Sequence, residues 1–264
     1  MSLLGFVRPS PNPSGGGGNR TIDLGNGSEV FYVPRFLSPD RSWERFHYLD
    51  KEIPWTRPLI HVFGRSCVQP RDVCYVASKG LSDLQYSGYQ PHAYSWDDYP
   101  VLKDILEAVH EALPGSKFNS LLLNRYKTGS DYVSWHSDDE KLYGPAPDIA
   151  SVSFGCEREF LLKKKPTKKS AKMQDAAHSE PQPASKRLKS SHTEQHAFVL
   201  KHGSMLVMRG YTQRDWVHSV PKRSKANSVR INLTFRAVEE RQKLGIRSHV
   251  VSRASPPVIP VSKS

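Results

Sequence analysis

From Val229 to Arg236 the chain alternates without a break, with Val229, Ile231, Leu233 and Phe235 on one parity and Arg230, Asn232, Thr234 and Arg236 on the other. A period of two sends successive side chains to opposite faces of an extended strand, so this stretch is predicted to be β. One face is hydrocarbon throughout; the other carries two guanidiniums, an amide and a hydroxyl. An ordinary amphipathic strand would leave that second face in water. The competing reading, a polar face turned inward as a binding surface, depends on what the rest of the chain brings to it.

His136-Ser137-Asp138 lies upstream, and His218 sits in Trp216-Val217-His218-Ser219-Val220-Pro221. On an extended backbone His136 and Asp138 project to the same side and can bind one metal, with His218 closing the set from a neighbouring strand. Two imidazoles and one carboxylate leave coordination positions open, the facial arrangement of non-haem Fe(II) oxygenases. His-x-Asp by itself is a short and common pattern. Its weight comes from the cations that accompany it. An oxygenase of this kind needs a bound electron donor, and a small dicarboxylate such as 2-oxoglutarate calls for a fork-shaped cation at each end. Arg230 and Arg236 supply two, their α-carbons separated by roughly 20 Å of strand, a gap that two long side chains on one face can largely close. Asn124 and Tyr126, again at i and i+2, could add an amide and a phenol from another strand.

Asn124-x-Tyr126, His136-x-Asp138, His218 and Arg230-x-Asn232-x-Thr234-x-Arg236 stand in the order and approximate spacing of the AlkB family of Fe(II)/2-oxoglutarate dioxygenases. From about Glu29 to Val238 the chain resembles the family's nuclear DNA-repair subgroup, most closely at Gly155-Cys156-Glu157-Arg158-Glu159-Phe160, His202-Gly203-Ser204 and Arg230 to Arg236. The resemblance implies an α+β, mainly β fold: a double-stranded β-helix (jelly roll) with flanking helices and the iron between its sheets. It implies Fe(II) on His136, Asp138 and His218, with 2-oxoglutarate and O2 as cosubstrates and ascorbate as reductant. Arg230, with Asn124 and Tyr126, would hold the far carboxylate, while Arg236 with Thr234 serves the end near the metal and Asn232 lies between. The implied reaction is oxidative demethylation of 1-methyladenine or 3-methylcytosine in DNA, with release of formaldehyde. An RNA or tRNA demethylase with the same iron site is the nearer alternative. A non-catalytic nucleic-acid-binding protein is the more distant one, since it would need neither the ligands nor the two arginines.

Substrate recognition is expected between Leu59 and Gly88. Ile60-His61-Val62-Phe63-Gly64-Arg65 is an apolar run ending in a glycine turn and a cation. It resembles the hairpin that the DNA-acting subgroup inserts into a duplex, where an apolar wedge fills the gap left by an extruded base. On the residues alone a buried strand end competes with that role. Leu84-Gln85-Tyr86-Ser87-Gly88 matches the family segment lining the base pocket; Tyr86 could stack on a flipped base, while Leu84 stands where an aromatic is expected. Asp139 and Glu140, directly after the metal ligands, could hydrogen-bond a damaged base or position Arg236.

The helices are expected to be supports. Ser38 caps a first helix with Pro39 at its start and Trp43, Phe46 and Leu49 on its core face. Val101, Leu102, Ile105, Leu106 and Val109 mark a second, from about Pro100 to Leu113. Residues 1–20 carry Pro-rich and Gly-rich sequence and are expected to form a disordered leader, with the catalytic domain over 21–240 and a flexible tail over 241–264. Met1 to Val7 is too short for a signal peptide, although organelle import stays open.

With 38 Lys and Arg against 26 Asp and Glu the chain carries +12, a balance that favours a polyanionic partner. Alkylated DNA, duplex for preference, is the expected partner, with no membrane and a monomeric state. Half of that charge lies in 163–196, a Lys-, Ser- and Pro-rich stretch expected to be a disordered insertion. Its basic clusters, Lys163 to Lys169 and Lys186 to Lys189, suit an import receptor reading 163–189, hence the nucleus, or an arm that tracks phosphates. Cys67, Cys74 and Cys156 have no spacing that suggests a disulfide framework or a zinc site.

Overall fold

The computed structural model describes residues 18–62, 64–81, 90–166 and 194–239. Phe63, Leu84, Gln85, Tyr86, most of the expected leader and insertion, and the tail lie outside them, as does the side chain of Val62.

Fourteen strands are described. An eight-stranded sheet runs in the order β1 (Arg20–Gly25), β2 (Ser28–Val33), β12 (Ser204–Gly210), β9 (Ile149–Gly155), β14 (Arg230–Arg236), β7 (Ser120–Tyr126), β5 (Asp72–Ala77) and β6 (Ala93–Tyr94). A four-stranded sheet runs β11 (Gln195–Leu200), β10 (Arg158–Lys164), β13 (Trp216–Val220) and β8 (Val133–His136). The two sheets share one apolar layer, in which Tyr32, Ile149, Leu206 and Met208 of the large sheet meet Phe160, Leu162, Phe198 and Trp216 of the small one. This is the jelly roll that the family resemblance implies.

β14 lies inside the large sheet, between β9 and β7. Its apolar parity, Ile231, Leu233 and Phe235, packs away from the small sheet, under α1 (Pro39–Glu52) and α2 (Pro100–Ala112). Its polar parity therefore faces the space between the sheets, and water does not cover it: Arg230, Asn232 and Arg236 are all buried. The inward reading of the alternation holds.

Both helices form where their signals place them. Ser38 accepts a hydrogen bond from the Arg41 amide, and Leu102, Ile105 and Val109 are buried. Trp43 departs from expectation, because it is 47% exposed and stacks on His202 at 4.1 Å instead of entering the core. A further departure comes at the start of the chain. β1 and β2 form a hairpin through Gly25-Asn26-Gly27, all with positive φ, so Arg20 belongs to the sheet and not to a leader. β10 runs to Lys164 and β11 starts at Gln195, so the paired strands reach slightly into the expected insertion at both ends.

β3 (Leu59–Val62) and β4 (Arg65–Val68) pair only with each other. Val62 pairs with Arg65, and Gly64, just before β4, has φ +74°. β4 is exposed along its length, and Leu59 and Val68 put apolar surface in water. The described part of the segment is a two-stranded hairpin outside both main sheets, with Ile60 buried.

Candidate active site

The polar ladder on β14 is built from neighbouring strands. Asn124 on β7 lies opposite Asn232, and Tyr126 opposite Arg230; on the other side Ser153 and Ser151 of β9 lie opposite Asn232 and Thr234. Side chains link along it, Arg230 Nη2 donating to Asn232 Oδ1 (2.7 Å) and Asn232 Nδ2 to Thr234 Oγ1 (2.8 Å). Gly155, at the Arg230 end, has φ +79°, and a Cβ there would lie 2.3 Å from the Val229 carbonyl, so only glycine lets β9 and β14 stay in register.

Across from this ladder the small sheet delivers the histidines. β13 and β8 pair His218 with His136, and Asp138 follows at the end of β8. His136, Asp138 and His218 bring one ligand atom each within 4.8 Å of one another. His136 Nδ1 lies 2.8 Å from the Ser134 carbonyl, which holds the proton on Nδ1 and leaves the Nε2 lone pair free, 3.9 Å from Asp138 Oδ1. His218 is buried against the Phe160 ring, and burial lowers its pKa to about 3, so it stays neutral. Its Nδ1 is buried with no hydrogen-bond partner among the described residues. Burial opposes the charge on Asp138, but Arg236 overrides it and holds the carboxyl well below its usual range. Two imidazoles and one carboxylate form the donor set that divalent iron accepts, and a buried ring nitrogen without a hydrogen-bond partner fits a site built for a further ligand.

The two arginines of β14 are treated differently. Arg236 donates from Nε (3.2 Å) and Nη2 (2.8 Å) to the single oxygen Asp138 Oδ2. Arg230 has no carboxylate partner among the described residues; its Nε and Nη1 are buried and unpartnered, and burial lowers its pKa to about 10. It lies over the Tyr126 ring at 5.0 Å. A buried cation without an anion is costly, and a ligand carboxylate would neutralise it.

Two cavities meet at Leu122, Asp138 and Arg236. The inner one, about 510 Å³, holds the three metal-ligand candidates with Asn124, Tyr126 and Thr234. The outer one, about 860 Å³, is walled by Thr56, Gln69, Tyr75, His92, Glu140 and Tyr143. Asp139 stands apart from both. It pairs with Ser137 Oγ (2.9 Å) and Lys165 Nζ (3.1 Å), and the residue that positions Arg236 is Asp138. Glu140 takes the cleft wall, its carboxyl pushed up by burial and by Asp138. Arg65 is exposed on β4, well placed for a solvent-borne partner.

Three contributors escaped the sequence. Arg71 is buried on the inner cavity and donates from Nε to Asn124 Oδ1 at 2.6 Å. Gln213, on the short helix α3 (Thr212–Asp215), accepts from the Asp138 amide at 2.9 Å and so fixes that ligand's backbone. Arg158 is buried beside Tyr126. A lone arginine or glutamine in a strand or turn carries no spacing signal; Pro70-Arg71-Asp72 offered only a cation entering a strand.

The sequence profile of the 2OG-Fe(II) oxygenase superfamily matches residues 29–236, which span the ladder, the histidines and both cavities. The chain belongs to that superfamily and, within it, to the AlkB family. It is 63% identical over 240 residues to the DNA oxidative demethylase ALKBH2 of Arabidopsis thaliana, covering 90% of this chain and 76% of that one. Human ALKBH2 is 35% identical over 199 residues (74% and 68%), and human alkB homolog 3, an alpha-ketoglutarate-dependent dioxygenase, 40% over 220 residues (80% and 66%). Fe(II) and 2-oxoglutarate are thus the group and the cosubstrate of the family, and the donor set and the unpaired Arg230 fit both.

Proposed function

We propose that this chain is a DNA oxidative demethylase that removes methyl groups from ring nitrogens of bases such as 1-methyladenine and 3-methylcytosine, in duplex DNA for preference. The observation that carries this reading is the meeting of two cavities at Asp138 and Arg236, one bearing oxygenase ligands and the other reaching Gln69, the residue that follows an exposed hairpin strand.

Bound iron supplies oxidation of the methyl group, coupled to decarboxylation of 2-oxoglutarate to succinate. This chain's residues do the rest. His136, Asp138 and His218 hold the metal. Arg230, backed by Asn232, Tyr126 and Asn124, binds the far carboxylate of the cosubstrate, and Arg236 with Thr234 serves the near end while orienting Asp138. Phe160, Leu162 and Trp216 make the wall behind His218 apolar and keep water from that side.

A flipped base would enter the outer cavity, where Glu140 and Tyr143 face it. Tyr86, Gln85 and Leu84 would complete the pocket, and Asp139 would reach the base only by leaving Lys165. Val62, Phe63 and Gly64 would form the wedge, with Arg65 on a phosphate. Ascorbate would keep the iron reduced. The net charge of +12 and the basic clusters of 163–189 support a nuclear protein read by an import receptor and acting as a monomer.

The test is formaldehyde and succinate release from a duplex oligonucleotide bearing one 1-methyladenine, with Fe(II), ascorbate and 2-oxoglutarate, beside an unmethylated control. Lesion-dependent release is the expected result. Turnover confined to methylated RNA would replace the DNA reading with the RNA one, and 2-oxoglutarate consumption without repair would leave the oxygenase with another substrate.

A further inference from the structure

The two histidine-bearing strands are barely joined. β8 and β13 pair only at His136 with His218 and at Val133 with Val220, with an irregularity between the rungs. Outward from Val220 comes Pro221, which has no N–H and cannot donate to another rung. The ladder stops beside the metal-ligand candidates.

Arg158, at the start of β10, lies across that gap. Its Nη2 donates to the Asp131 carbonyl at 2.8 Å and to the Pro221 carbonyl at 2.6 Å, one acceptor on the segment entering β8 and one on the segment leaving β13. Nη1 reaches the Thr128 carbonyl at 3.4 Å. β10 also pairs directly with β13, Leu162 lying opposite His218. Arg158 is 1% exposed and has no carboxylate partner among the described residues, and burial lowers its pKa. Burying a cation this way is costly, and a hydrocarbon side chain of similar volume would fill the space at less expense. What the guanidinium supplies here is a rigid planar fork, with Nη2 on the carbonyls that flank β8 and β13 and Nη1 on a third, a spread of donors that neither a hydrocarbon nor a point-like ammonium reproduces.

We propose that Arg158 is a positioning residue that replaces the missing rung, holds the His136 strand in register with the His218 strand, and thereby sets the affinity of the metal site. The inference rests on the assignment of His136, Asp138 and His218 as metal ligands. Groups that orient a ligand without touching the metal commonly change metal affinity by about 10–100-fold when altered.

The test measures Mn(II) binding by calorimetry on the full-length, metal-free protein, without substrate or turnover. Wild type is compared with Arg158→Lys, Arg158→Met and Arg57→Gln. Lysine keeps the charge but not the planar fork. Arg57 donates to the Asp131 side chain at 3.1 Å, on the same turn, but does not bridge the strands. Wild type is expected to bind; Arg158→Lys should lose about tenfold or more, Arg158→Met more still, and Arg57→Gln less than about twofold. The visible absorption of the Co(II)-loaded protein should change in Arg158→Lys and stay unaltered in Arg57→Gln. Equal Mn(II) affinity and equal Co(II) spectra in wild type and Arg158→Lys would overturn the proposal. So would a loss in Arg57→Gln as large as in Arg158→Lys, which would mark general loosening of the turn. If Arg158→Met does not fold by circular dichroism, Arg158→Lys decides. Failure of wild type to bind Mn(II) would remove the ligand assignment itself, and this proposal with it.

Discussion

The two ends of β14 carry the same side chain on the same face at similar depth, yet they do opposite electrostatic work. At Arg236 the protein supplies the anion: Asp138 lies within 2.8 Å, each charge stabilises the other, and the pair is complete without any ligand. At Arg230 the protein withholds one among the described residues, offering Ser153 and Asn232 oxygens to Nη2 and the neutral side chain of Tyr126 besides. The nearest charge effects there include a second cation, Arg158. The contrast teaches that burial of an arginine does not define its role; what decides is whether the fold brings its counter-charge or leaves it to be brought.

The largest expected effect comes from breaking the completed end. Arg236→Met strands the buried Asp138 carboxylate, and chemical denaturation of the metal-free protein should show a loss of roughly 3–5 kcal/mol, with turnover abolished. Arg230→Met should behave in the opposite sense. Without ligand its stability should equal or exceed wild type, while the KM for 2-oxoglutarate rises about tenfold or more, because a charged hydrogen bond is worth roughly 1.5–3 kcal/mol. Thermal stabilisation by 2-oxoglutarate should vanish with it. If ligand-free Arg230→Met were as unstable as Arg236→Met, the two ends would be alike after all.

A smaller effect tests whether the difference stays local. Phe63→Ala should leave both the KM for 2-oxoglutarate and the metal-free stability unchanged, and lower turnover on duplex several-fold more than on single strands, within the ~1–3 kcal/mol that a base-stacking aromatic contributes. Equal loss on both forms of DNA would remove Phe63 from the wedge role.

The smallest effect concerns the support behind Arg230. His202 Nδ1 accepts from the Gly155 amide at 2.8 Å, and Gly155 is the residue opposite Arg230. Burial lowers the His202 pKa below its ordinary 6.5. The unfolded chain therefore takes up this proton first, so the contribution of His202 is full above about pH 6.5 and is lost as pH falls from there towards the folded value. His202→Gln should flatten the pH dependence of stability over that window in urea titrations; an unchanged slope would assign it to other groups.

The sequence already contained both arginines on one face and the metal set, because strand period and i, i+2 spacing place side chains on faces without knowledge of the fold, but it offered Asp139 or Glu140 to Arg236 where the fold pairs it with Asp138. The helices were legible for the same reason, through Ser38, Pro39 and the stripe on α2. What escaped depends on contacts between distant strands. Arg71 and Arg158 look like surface cations in one dimension and become interior groups only when β5 and β10 are set against β7 and β13. Trp43 sits on the apolar stripe of its helix, but it meets the His202 ring, in the turn between β11 and β12, instead of the core. Asp139 illustrates the limit most sharply: one residue from a metal ligand, it faces the opposite way, towards Lys165.

The grip of Arg236 on one oxygen also bears on denticity. Both of its contacts go to Asp138 Oδ2, while Oδ1 is the oxygen nearer His136 Nε2. A carboxylate with one oxygen committed to a guanidinium offers a metal a single donor atom instead of chelating through two. Each of the three residues would then give a bound iron one donor atom and leave its other positions to cosubstrate and oxygen. The ion pair thus limits how many donors the protein can offer, as well as orienting a side chain.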